Sequence, residues 1–266
     1  MPGLDPDDLD WLRQLLKRRS GFSLTVERLY LVEARLLPLA RREGLSGVSA
    51  LIAKLKAPQA ERLEKAVTEA MLLTDTRFFR DGEPFDAFAE TMLPALMRSR
   101  QATKTVRIWC AGAATGQEPL SLAMLLAEAE GLLDDWKFEI MASDLSQTAI
   151  ARARSGRYSH FEVQTGLTIQ RHLDWFTRDG DAWRVDPSLL YRVSYATHNL
   201  LDDLRPLGTF DVVFCRNVLR FMDDEIRADV AQKLNQVVAD DGYVVLGREE
   251  ESDLLGQVRP MQRASA

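Results

Sequence analysis

Hydrophobic residues recur at helical spacing through the first 70 residues of the chain. The apolar positions are Leu9, Leu12, Leu15 and Leu16 in one stripe, and Leu29, Leu31, Val32, Leu36, Leu37 and Leu39 in the next. A third helix is predicted over residues 48–55, and Gly21 and Gly44 stand where helices would end. No long strand pattern occurs before residue 100. The first part of the chain is therefore predicted to be a small helical domain.

From residue 104 onwards, short apolar runs alternate with helical stretches. The predicted strands are 105–110, 138–142, 191–196, 210–214 and 243–246, and the predicted helices are 118–130, 147–155 and 225–238. This alternation favours an α/β fold with a mostly parallel sheet covered by helices. Residues 157–190 interrupt it with aromatic residues, turn residues and a hairpin signal at Asp179-Gly180-Asp181, which predicts an inserted subdomain.

The composition is that of a soluble globular protein. The chain has 266 residues, 46% of them hydrophobic, and no run of about 18 apolar residues that would predict a membrane span. Its N-terminal stretch is acidic before it is apolar, unlike a secretory signal. Cys110 and Cys215 make no disulfide framework, and the histidines show no metal-ligand spacing. We expect a reduced, cytoplasmic protein without a metal.

The net charge of −6 is distributed unevenly. Residues 1–80 carry 14 Lys and Arg against 11 Asp and Glu, whereas the remainder carries 20 against 29. A mildly basic module on an acidic body could meet an acidic partner, although a solvated helix surface explains the same numbers.

A turn of small residues follows the first predicted strand. The segment after Cys110 reads Ala-Gly-Ala-Ala-Thr-Gly, and Pro119 then occupies a first-turn helix position, where its missing N–H costs nothing. Small residues let a ligand approach the backbone, so this strand–turn–helix unit predicts a nucleotide-binding corner. It lacks the Gly-Lys-Ser/Thr of a P-loop, which disfavours nucleoside triphosphates.

An acid, an asparagine and an Arg-Asn pair follow other strands of the predicted sheet. Asp144 lies just past the second strand, where a carboxylate can accept hydrogen bonds from ribose hydroxyls; it could cap the next helix instead, or have both roles. Both NAD and S-adenosylmethionine contain that ribose. Asn199 could read an adenine edge or serve in a turn, and Arg216 with Asn217 could bound the ligand or brace the sheet. Ligands bind at the carboxyl ends of parallel strands, where all these residues belong.

Taken together, these segments resemble the chemotaxis receptor glutamate methyltransferase (CheR) family over about residues 8–250. The matching stretches are Thr74-Asp-Thr-Arg-Phe-Phe-Arg80, Ile108-Trp-Cys-Ala-Gly-Ala-Ala-Thr-Gly-Gln-Glu-Pro119, Ala142-Ser-Asp144, Ala153-Arg-Ser-Gly-Arg-Tyr158, Asn199-Leu-Leu201 and Phe210-Asp-Val-Val-Phe-Cys-Arg-Asn-Val218.

The resemblance implies a helical N-terminal domain with its linker over residues 1–78 and a Rossmann-like methyltransferase domain over 79–266. A β-subdomain inserted at 157–190 would help to dock the receptor. The cofactor would be S-adenosylmethionine, leaving as S-adenosylhomocysteine. The residues implied to line it are Thr74, Thr76, Arg80, Glu118, Asp144, Asn199, Leu200, Arg216 and Asn217.

The implied reaction suits these residue types. A glutamate carboxylate is already ionised at neutral pH and the sulfonium is a strong electrophile, so the enzyme mainly has to position the two. Arg80 is the candidate catalytic residue, because a guanidinium can hold a carboxylate while keeping it charged; it could instead clamp the cofactor's own carboxylate. Glu118 could bind the cofactor's ammonium group or favour the helix N-terminus.

The chain departs from the family pattern at several positions. Thr74 and Asp75 precede the Thr-x-Phe-Phe-Arg motif, Gln117 replaces a glutamate, and Phe221 with Arg220 replaces a tyrosine and its neighbour near the methyl-transfer site. On the basic helix, Arg35, Arg41 and Arg42 remain, but Pro38 is expected to break or kink it.

The first hypothesis is thus an O-methyltransferase that modifies glutamate side chains of chemotaxis receptors during adaptation. The first alternative is a degenerate member that binds S-adenosylmethionine or S-adenosylhomocysteine and acts through protein contacts; the second is a small-molecule methyltransferase, which would leave the helical domain unexplained. The expected partner is the cytoplasmic domain of the receptors. We expect no nucleic acid, no membrane insertion, and a monomer.

Overall fold

A computed structural model describes residues 4–133 and 135–253 of the chain. Its contacts divide the chain into one unit made of Met1–Leu73 with Arg220–Arg227, and another made of Thr74–Leu219 with Ala228–Ala266. No helix in the described ranges combines the length and the apolar character needed to cross a bilayer.

The first unit is helical, as its apolar spacing predicts. Its helices are α1 (Pro6–Ser20), α2 (Tyr30–Arg42), α3 (Val48–Leu55) and α4 (Glu61–Met71), with a 3₁₀ turn at Val26–Arg28. The side chain of Asp5 caps α1 by accepting the Asp7 N–H at 2.8 Å. The helix ends at Gly21, whose φ of 73° and N–H bond to Lys17 O form a left-handed cap. The predicted end at Gly21 is confirmed.

Of the break or kink expected at Pro38, the break is wrong, because α2 continues through that residue to Arg42. The proline cannot donate to the carbonyl of Ala34, so the helix loses one internal hydrogen bond there. Burial of the apolar face, which includes Leu36 and Leu39, offsets this cost. Tertiary packing therefore overrides the local preference.

Arg35, one of the three basic residues retained on α2, is used inside the helical unit. Its guanidinium donates to the carbonyl oxygens of Ala70 and Leu72, near the end of α4. Arg41 and Arg42 are exposed on the last turn of α2. Only the latter two therefore present their charge to solvent.

The segment Arg220–Arg227 belongs to the helical unit, although it lies far along the chain. Ser23 N–H donates to Phe221 O at 2.8 Å, and Asp223 N–H donates to Gly21 O at 2.9 Å. The Phe221 ring packs against the core of this unit, with the guanidinium carbon of Arg28 5.0 Å from the ring centroid.

The second unit carries the five strands that the sequence predicts, together with further strands and helices. Its strands are β1 (Thr105–Ala111), β2 (Lys137–Asp144), β3 (Arg157–Ser159), β4 (Phe176–Asp179), β5 (Ala182–Val185), β6 (Val193–Thr197), β7 (Phe210–Cys215) and β8 (Val238–Leu246). Its helices are α5 (Glu83–Ala87), α6 (Leu93–Ser99), α7 (Gln117–Glu128), α8 (Glu130–Leu133), α9 (Gln147–Ser155), α10 (His160–Gln164), α11 (Ile169–Trp175), α12 (Pro187–Tyr191) and α14 (Arg248–Asp253); α13 (Asp224–Gln236) begins in the segment grouped with the helical unit. Short turns of 3₁₀ helix lie at Arg205–Leu207 and Leu219–Phe221, and a π-helical turn at Phe88–Met92 joins α5 to α6.

Within the described residues, five strands form a parallel sheet in the order β6-β2-β1-β7-β8. Ile108 of β1 pairs with Ile140 of β2 on one side and with Val212 of β7 on the other. Every residue of β7 is buried, as a strand covered on both faces requires. The predicted α/β fold with a Rossmann-like sheet is confirmed.

Two predicted boundaries were wrong. Tyr191, expected in a strand, closes helix α12, and the strand begins at Val193. The last strand begins at Val238, at a position where the sequence predicts helix. The prediction misses this start because the polar run Asp240-Asp241-Gly242 inside the strand obscures its apolar pattern. The strand tolerates this interruption through a shift of register between Phe210 and Val212 on its neighbour β7.

The inserted subdomain is an antiparallel sheet in the order β3-β5-β4. Asp179 pairs with Ala182 across a tight turn, and Gly180 adopts a φ of 67° within it. The hairpin and the small β-subdomain predicted over residues 157–190 are both found there.

Candidate functional site

The turn after β1 has a backbone that demands small residues. Gly112 and Gly116 have φ values of 83° and 92°, and Ala114 has 47°. A Cβ on Gly112 would lie 2.4 Å from a methyl carbon of Val218, and one on Gly116 would lie 2.8 Å from Cβ of Ala153. The turn thus packs closely against the ends of other elements, which fixes the path of its backbone.

Asp144 holds this turn from the end of β2. Its Oδ2 accepts the Ala114 N–H at 2.9 Å, and its Oδ1 accepts the Ser146 N–H at 2.8 Å. The alternative role of Asp144 as an N-cap is wrong, because the Ser146 side chain caps α9 by accepting the Ala149 N–H. An ionised carboxylate is purely an acceptor with about four lone-pair sites, which is the chemistry that a diol requires of its partner.

Three charged side chains meet where β7 ends and α7 begins. Arg216 Nη1 lies 3.1 Å from Glu118 Oε2, and Arg216 Nη2 lies 2.7 Å from Asp81 Oδ2. The same Nη2 donates to the carbonyl oxygen of Arg80 at 2.8 Å. The Arg216 side chain is only 1% exposed, so it is held inside by two carboxylates and one carbonyl.

Burial sets the protonation chemistry of Glu118. Desolvation raises its pKa above the ordinary value of 4.5, while the neighbouring Arg216 acts in the opposite direction. The charge of Arg80 also acts to lower that pKa, which places Arg80 within electrostatic reach of Glu118. A buried carboxylate with cations on only part of its surface can bind an ammonium group.

Arg80 lies in a segment with an unusual backbone. Phe79, Asp81 and Gly82 have φ values of 47°, 69° and 63°, so left-handed residues flank it on both sides. Its Nη1 donates to the carbonyl oxygen of Asp75 at 3.0 Å, and its side chain is 25% exposed. A guanidinium that is partly exposed beside a buried charged cluster is suited to hold an incoming carboxylate.

Asn199 and Leu200 follow the edge strand β6. The His198 N–H donates to Asp144 O at 3.0 Å, which brings the end of β6 beside the end of β2. Asn199 Oδ1 accepts the Leu201 N–H at 3.1 Å, as in the turn role considered for it, and Leu200 is buried. Both residues therefore lie close to Asp144.

Asn217 adopts a left-handed φ of 58° directly after Arg216. Its N–H donates to Glu250 Oε2 at 2.8 Å, and the Gly247 N–H donates to the same oxygen at 2.8 Å. Among the described residues, Asn217 Oδ1 and Arg216 Nε are buried without a hydrogen-bond partner. Unsatisfied buried polar atoms are uncommon, and their presence here suits a polar ligand.

Thr74 and Thr76 are the predicted site residues that this network does not include. Both are partly buried on the segment that leads to Arg80. Within the described part of the chain, no hydrogen bond joins either side chain to Asp144, Glu118 or Arg216. Their role stays a prediction.

Sequence reasoning missed two carboxylates of the site. Asp81 pairs with Arg216, and its only sequence signal is its position directly after Arg80. Glu250 is 1% exposed and joins the ends of β7 and β8 through its two backbone hydrogen bonds. Its sequence context, Gly247-Arg-Glu-Glu250, shows an acid but gives no reason for its burial.

Two family models match consecutive parts of the chain. Residues 7–72 match the all-alpha domain of CheR methyltransferases, and residues 74–263 match their S-adenosylmethionine (SAM) binding domain.

Curated relatives match nearly the whole length. The chain is 32% identical to chemotaxis protein methyltransferase Cher2 of Pseudomonas putida KT2440, covering 91% of this chain and 90% of that protein. It is 33% identical to chemotaxis protein methyltransferase 1 of Pseudomonas aeruginosa PAO1, covering 91% and 89% respectively. It is also 31% identical to chemotaxis protein methyltransferase 1 of Vibrio cholerae El Tor N16961, covering 92% and 89%.

Proposed function

Since this chain belongs to the CheR methyltransferase family of SAM-dependent chemotaxis methyltransferases, we propose that it methylates glutamate side chains of chemotaxis receptors. The product would be a glutamate methyl ester and S-adenosylhomocysteine. The observation that carries the proposal is the position of Arg80, a partly exposed cation bonded through its carbonyl to the buried Arg216. That cation can receive an acceptor carboxylate beside the residues proposed for the cofactor.

The proposed cofactor contacts divide by the chemistry of the ligand. Asp144 would accept the ribose hydroxyls, and Glu118 would bind the ammonium group of the methionine part. Asn199 and Leu200 would meet the adenine, because they follow β6 beside Asp144. The remaining proposed contacts are Thr74, Thr76, Arg80, Arg216 and Asn217. The unpartnered Arg216 Nε and Asn217 Oδ1 support a polar ligand at this place.

SAM, when bound, supplies a methyl group on a sulfonium and so makes that carbon electrophilic. Arg80 holds the acceptor carboxylate in its ionised form, which leaves an oxygen lone pair ready to attack. No general base is required, because the acceptor has no proton to lose at neutral pH. The protein's contribution is therefore positioning, and Arg80 carries most of it.

Arg216 has a supporting role in this mechanism. As a buried cation beside Glu118, it acts against the desolvation that raises the pKa of that carboxyl, and its second ion pair, with Asp81, fixes the direction of its guanidinium.

We further propose that the partner is the cytoplasmic domain of the receptor and that the protein acts in the cytoplasm. The helical unit would meet acidic receptor surface through Arg41 and Arg42, while Arg35 serves its own unit. The subdomain at 157–190 would add a second contact. The proposed working division is residues 1–78 for the helical module and 79–266 for the methyltransferase module, acting as a monomer.

The test is radiolabelled methyl transfer from SAM to membranes that contain the cognate receptor. We expect alkali-labile methyl ester on the receptor with the wild-type chain, and a fall of roughly 100-fold or more with Arg80→Ala. Arg98→Ala, which removes an exposed arginine on α6, is the matched control and should retain transfer. Binding of S-adenosylhomocysteine without any ester would instead support the degenerate, binding-only member of the family.

A further inference from the structure

Phe79, the residue before Arg80, has a backbone conformation that a bulky residue rarely adopts. Its φ is 47°, and no glycine stands there to relieve the contact between Cβ and the carbonyl oxygen. Such a conformation persists only where the surroundings hold it. Because Arg80 follows directly, the forces on Phe79 also set the direction from which Arg80 departs.

The backbone and one side of the Phe79 ring are held by the methyltransferase core. The Phe79 N–H donates to Ser121 Oγ at 3.0 Å, and that hydroxyl donates to Gln117 O at 2.7 Å. The Phe79 ring lies against Phe85, with 5.3 Å between the ring centroids. These contacts come from α7 and α5, next to the motif.

A residue of the inserted subdomain also holds this ring. The guanidinium carbon of Arg171, on α11, lies 4.0 Å from the Phe79 ring centroid. Arg171 is itself fixed, because its Nε and Nη2 donate to the two carboxylate oxygens of Glu128, each at 2.8 Å. A planar guanidinium can form this bidentate pair of hydrogen bonds and stack on an aromatic ring at the same time, whereas the ammonium group of lysine cannot do both.

A second contact ties the subdomain to the same segment. A Cβ placed on Gly166 would lie 1.9 Å from the carbonyl oxygen of Phe78, and Gly166 has a φ of 93°. The backbone between α10 and α11 therefore passes directly against the backbone of Phe78. Two independent contacts from the insertion meet the segment that carries Arg80.

We propose that Arg171 is a positioning residue for methyl transfer, holding Phe79 in its left-handed conformation and thereby orienting Arg80. The inference rests on the proposed function for the role of Arg80. The insertion then has a structural task in the reaction itself, in addition to any contact with a partner. Glu128 contributes to the same positioning, because its carboxylate fixes the plane of the Arg171 guanidinium.

The first test needs no activity. Hydrogen exchange followed by mass spectrometry on the full chain without cofactor compares the peptide covering residues 74–82 in wild type and Arg171→Ala. We expect the hydrogen-exchange rate of this peptide to rise about tenfold in the variant, because that factor corresponds to the loss of one cation–π contact of ordinary strength. Arg178→Ala is the matched control, because Arg178 lies on β4 of the same subdomain and its Nε donates to Gly180 O within the hairpin. It should leave the peptide unchanged.

The second test is a double-mutant cycle on receptor methylation. Arg171→Ala and Phe79→Leu should each lower kcat about tenfold, and the double variant should be no worse than either one. Arg171→Lys should fall between wild type and Arg171→Ala, because it keeps the charge without the bidentate pair of hydrogen bonds. The Kd for S-adenosylhomocysteine should change less than about threefold. A general loss of structure would instead raise this Kd together with the fall in kcat.

Unchanged exchange in residues 74–82 with an unchanged kcat in Arg171→Ala would overturn the inference. A Kd for S-adenosylhomocysteine that rises as much as kcat falls would overturn it as well, since Arg171 would then support the fold generally. If the wild-type chain transfers no methyl group to the receptor, the proposed function fails, and the exchange comparison alone decides whether Arg171 holds Phe79.

Discussion

Arg216 and Glu118 form a largely buried ion pair, with 3.1 Å between Nη1 and Oε2, at the place where strand β7 ends and helix α7 begins. Asp81 binds the same guanidinium at 2.7 Å. The cluster places one buried cation between the largely buried carboxylate of Glu118 and the carboxylate of Asp81, whose side chain is 33% exposed. Its charge balance gives the proposed cofactor site a property that can be measured.

We expect the affinity for S-adenosylhomocysteine to depend on pH through Glu118. Its pKa is raised in the folded protein, chiefly by burial, so the carboxylate that would bind the ammonium group is lost at a higher pH than for an exposed glutamate. Below that raised pKa, the affinity should fall about tenfold per pH unit. Calorimetric titrations across the range from pH 5 to pH 8 (roughly one unit per step) would measure it.

Glu118→Gln should abolish this dependence and weaken binding at neutral pH. Glu139→Gln is the control, because the pKa of Glu139 is lowered, first by its hydrogen bond to Lys137. The titration of Glu118 also affects the stability of the wild type. Because the pKa of Glu118 is higher in the folded than in the unfolded protein, the free energy of unfolding falls as the pH rises from 4.5 through the folded value. An affinity in Glu118→Gln that still follows the wild-type pH curve would contradict the assignment.

Asp144→Ala should raise the Kd for S-adenosylhomocysteine by roughly 10- to 100-fold, because it removes both the proposed ribose acceptor and the hydrogen bond that fixes the turn at Ala114. Asp186→Ala is a matched control: Asp186 likewise accepts a local N–H, that of Ser188, at the start of α12. The control should lose about 1 kcal/mol of stability and keep its affinity. Equal affinities in the two variants would remove Asp144 from the site.

Gly166→Ala should destabilise the methyltransferase unit far more than Gly180→Ala. Both glycines have positive φ, at 93° and 67°, so each alanine costs about 1 kcal/mol in backbone strain. Only at Gly166 does the new Cβ meet an atom, the carbonyl oxygen of Phe78, whereas nothing lies within 4 Å at Gly180. Urea unfolding should show an additional loss of about 3 kcal/mol or more at Gly166. Equal losses would mean that the insertion does not press on Phe78.

Pro38→Ala should stabilise the helical unit, because α2 passes through Pro38 and an alanine there restores the N–H donor that the helix lacks. We expect a gain of about 1–3 kcal/mol in urea unfolding. Pro58→Ala provides the comparison, since Pro58 lies in the turn after α3 and its removal should be neutral or cost less than about 1 kcal/mol. A loss of stability in Pro38→Ala would show that the proline ring itself contributes to packing.

Phe221→Tyr should preserve or raise methyl transfer, because it restores the hydroxyl that the family pattern has at this position. The ring is only partly buried, and the guanidinium carbons of Arg28 and Arg220 lie 5.0 and 5.1 Å from its centroid, a setting that tolerates an added oxygen. Phe161→Tyr, at an exposed ring, controls for the change itself. A fall of more than about tenfold in transfer would show that the helical unit is built around phenylalanine here.

The sequence alone determined what depends on neighbours along the chain. Helical spacing of leucines, alternating apolar runs and a turn of small residues gave the helical module, the parallel sheet and the position of Asp144, because each is a local pattern of period or size. The tight turn at Gly180 followed in the same way, since the chemistry of a two-residue turn is contained in the turn.

Only the tertiary structure decided which distant residues share a surface. Several contacting pairs consist of residues that are far apart along the chain, and no local sequence pattern predicts them. These pairs are Arg216 with Asp81, Glu250 with Asn217, and Arg171 with Phe79. The continuity of α2 through Pro38 and the internal use of Arg35 have the same origin. In each case the deciding free energy comes from burial and from partners brought by folding, and these outweigh the preferences of a residue and its neighbours.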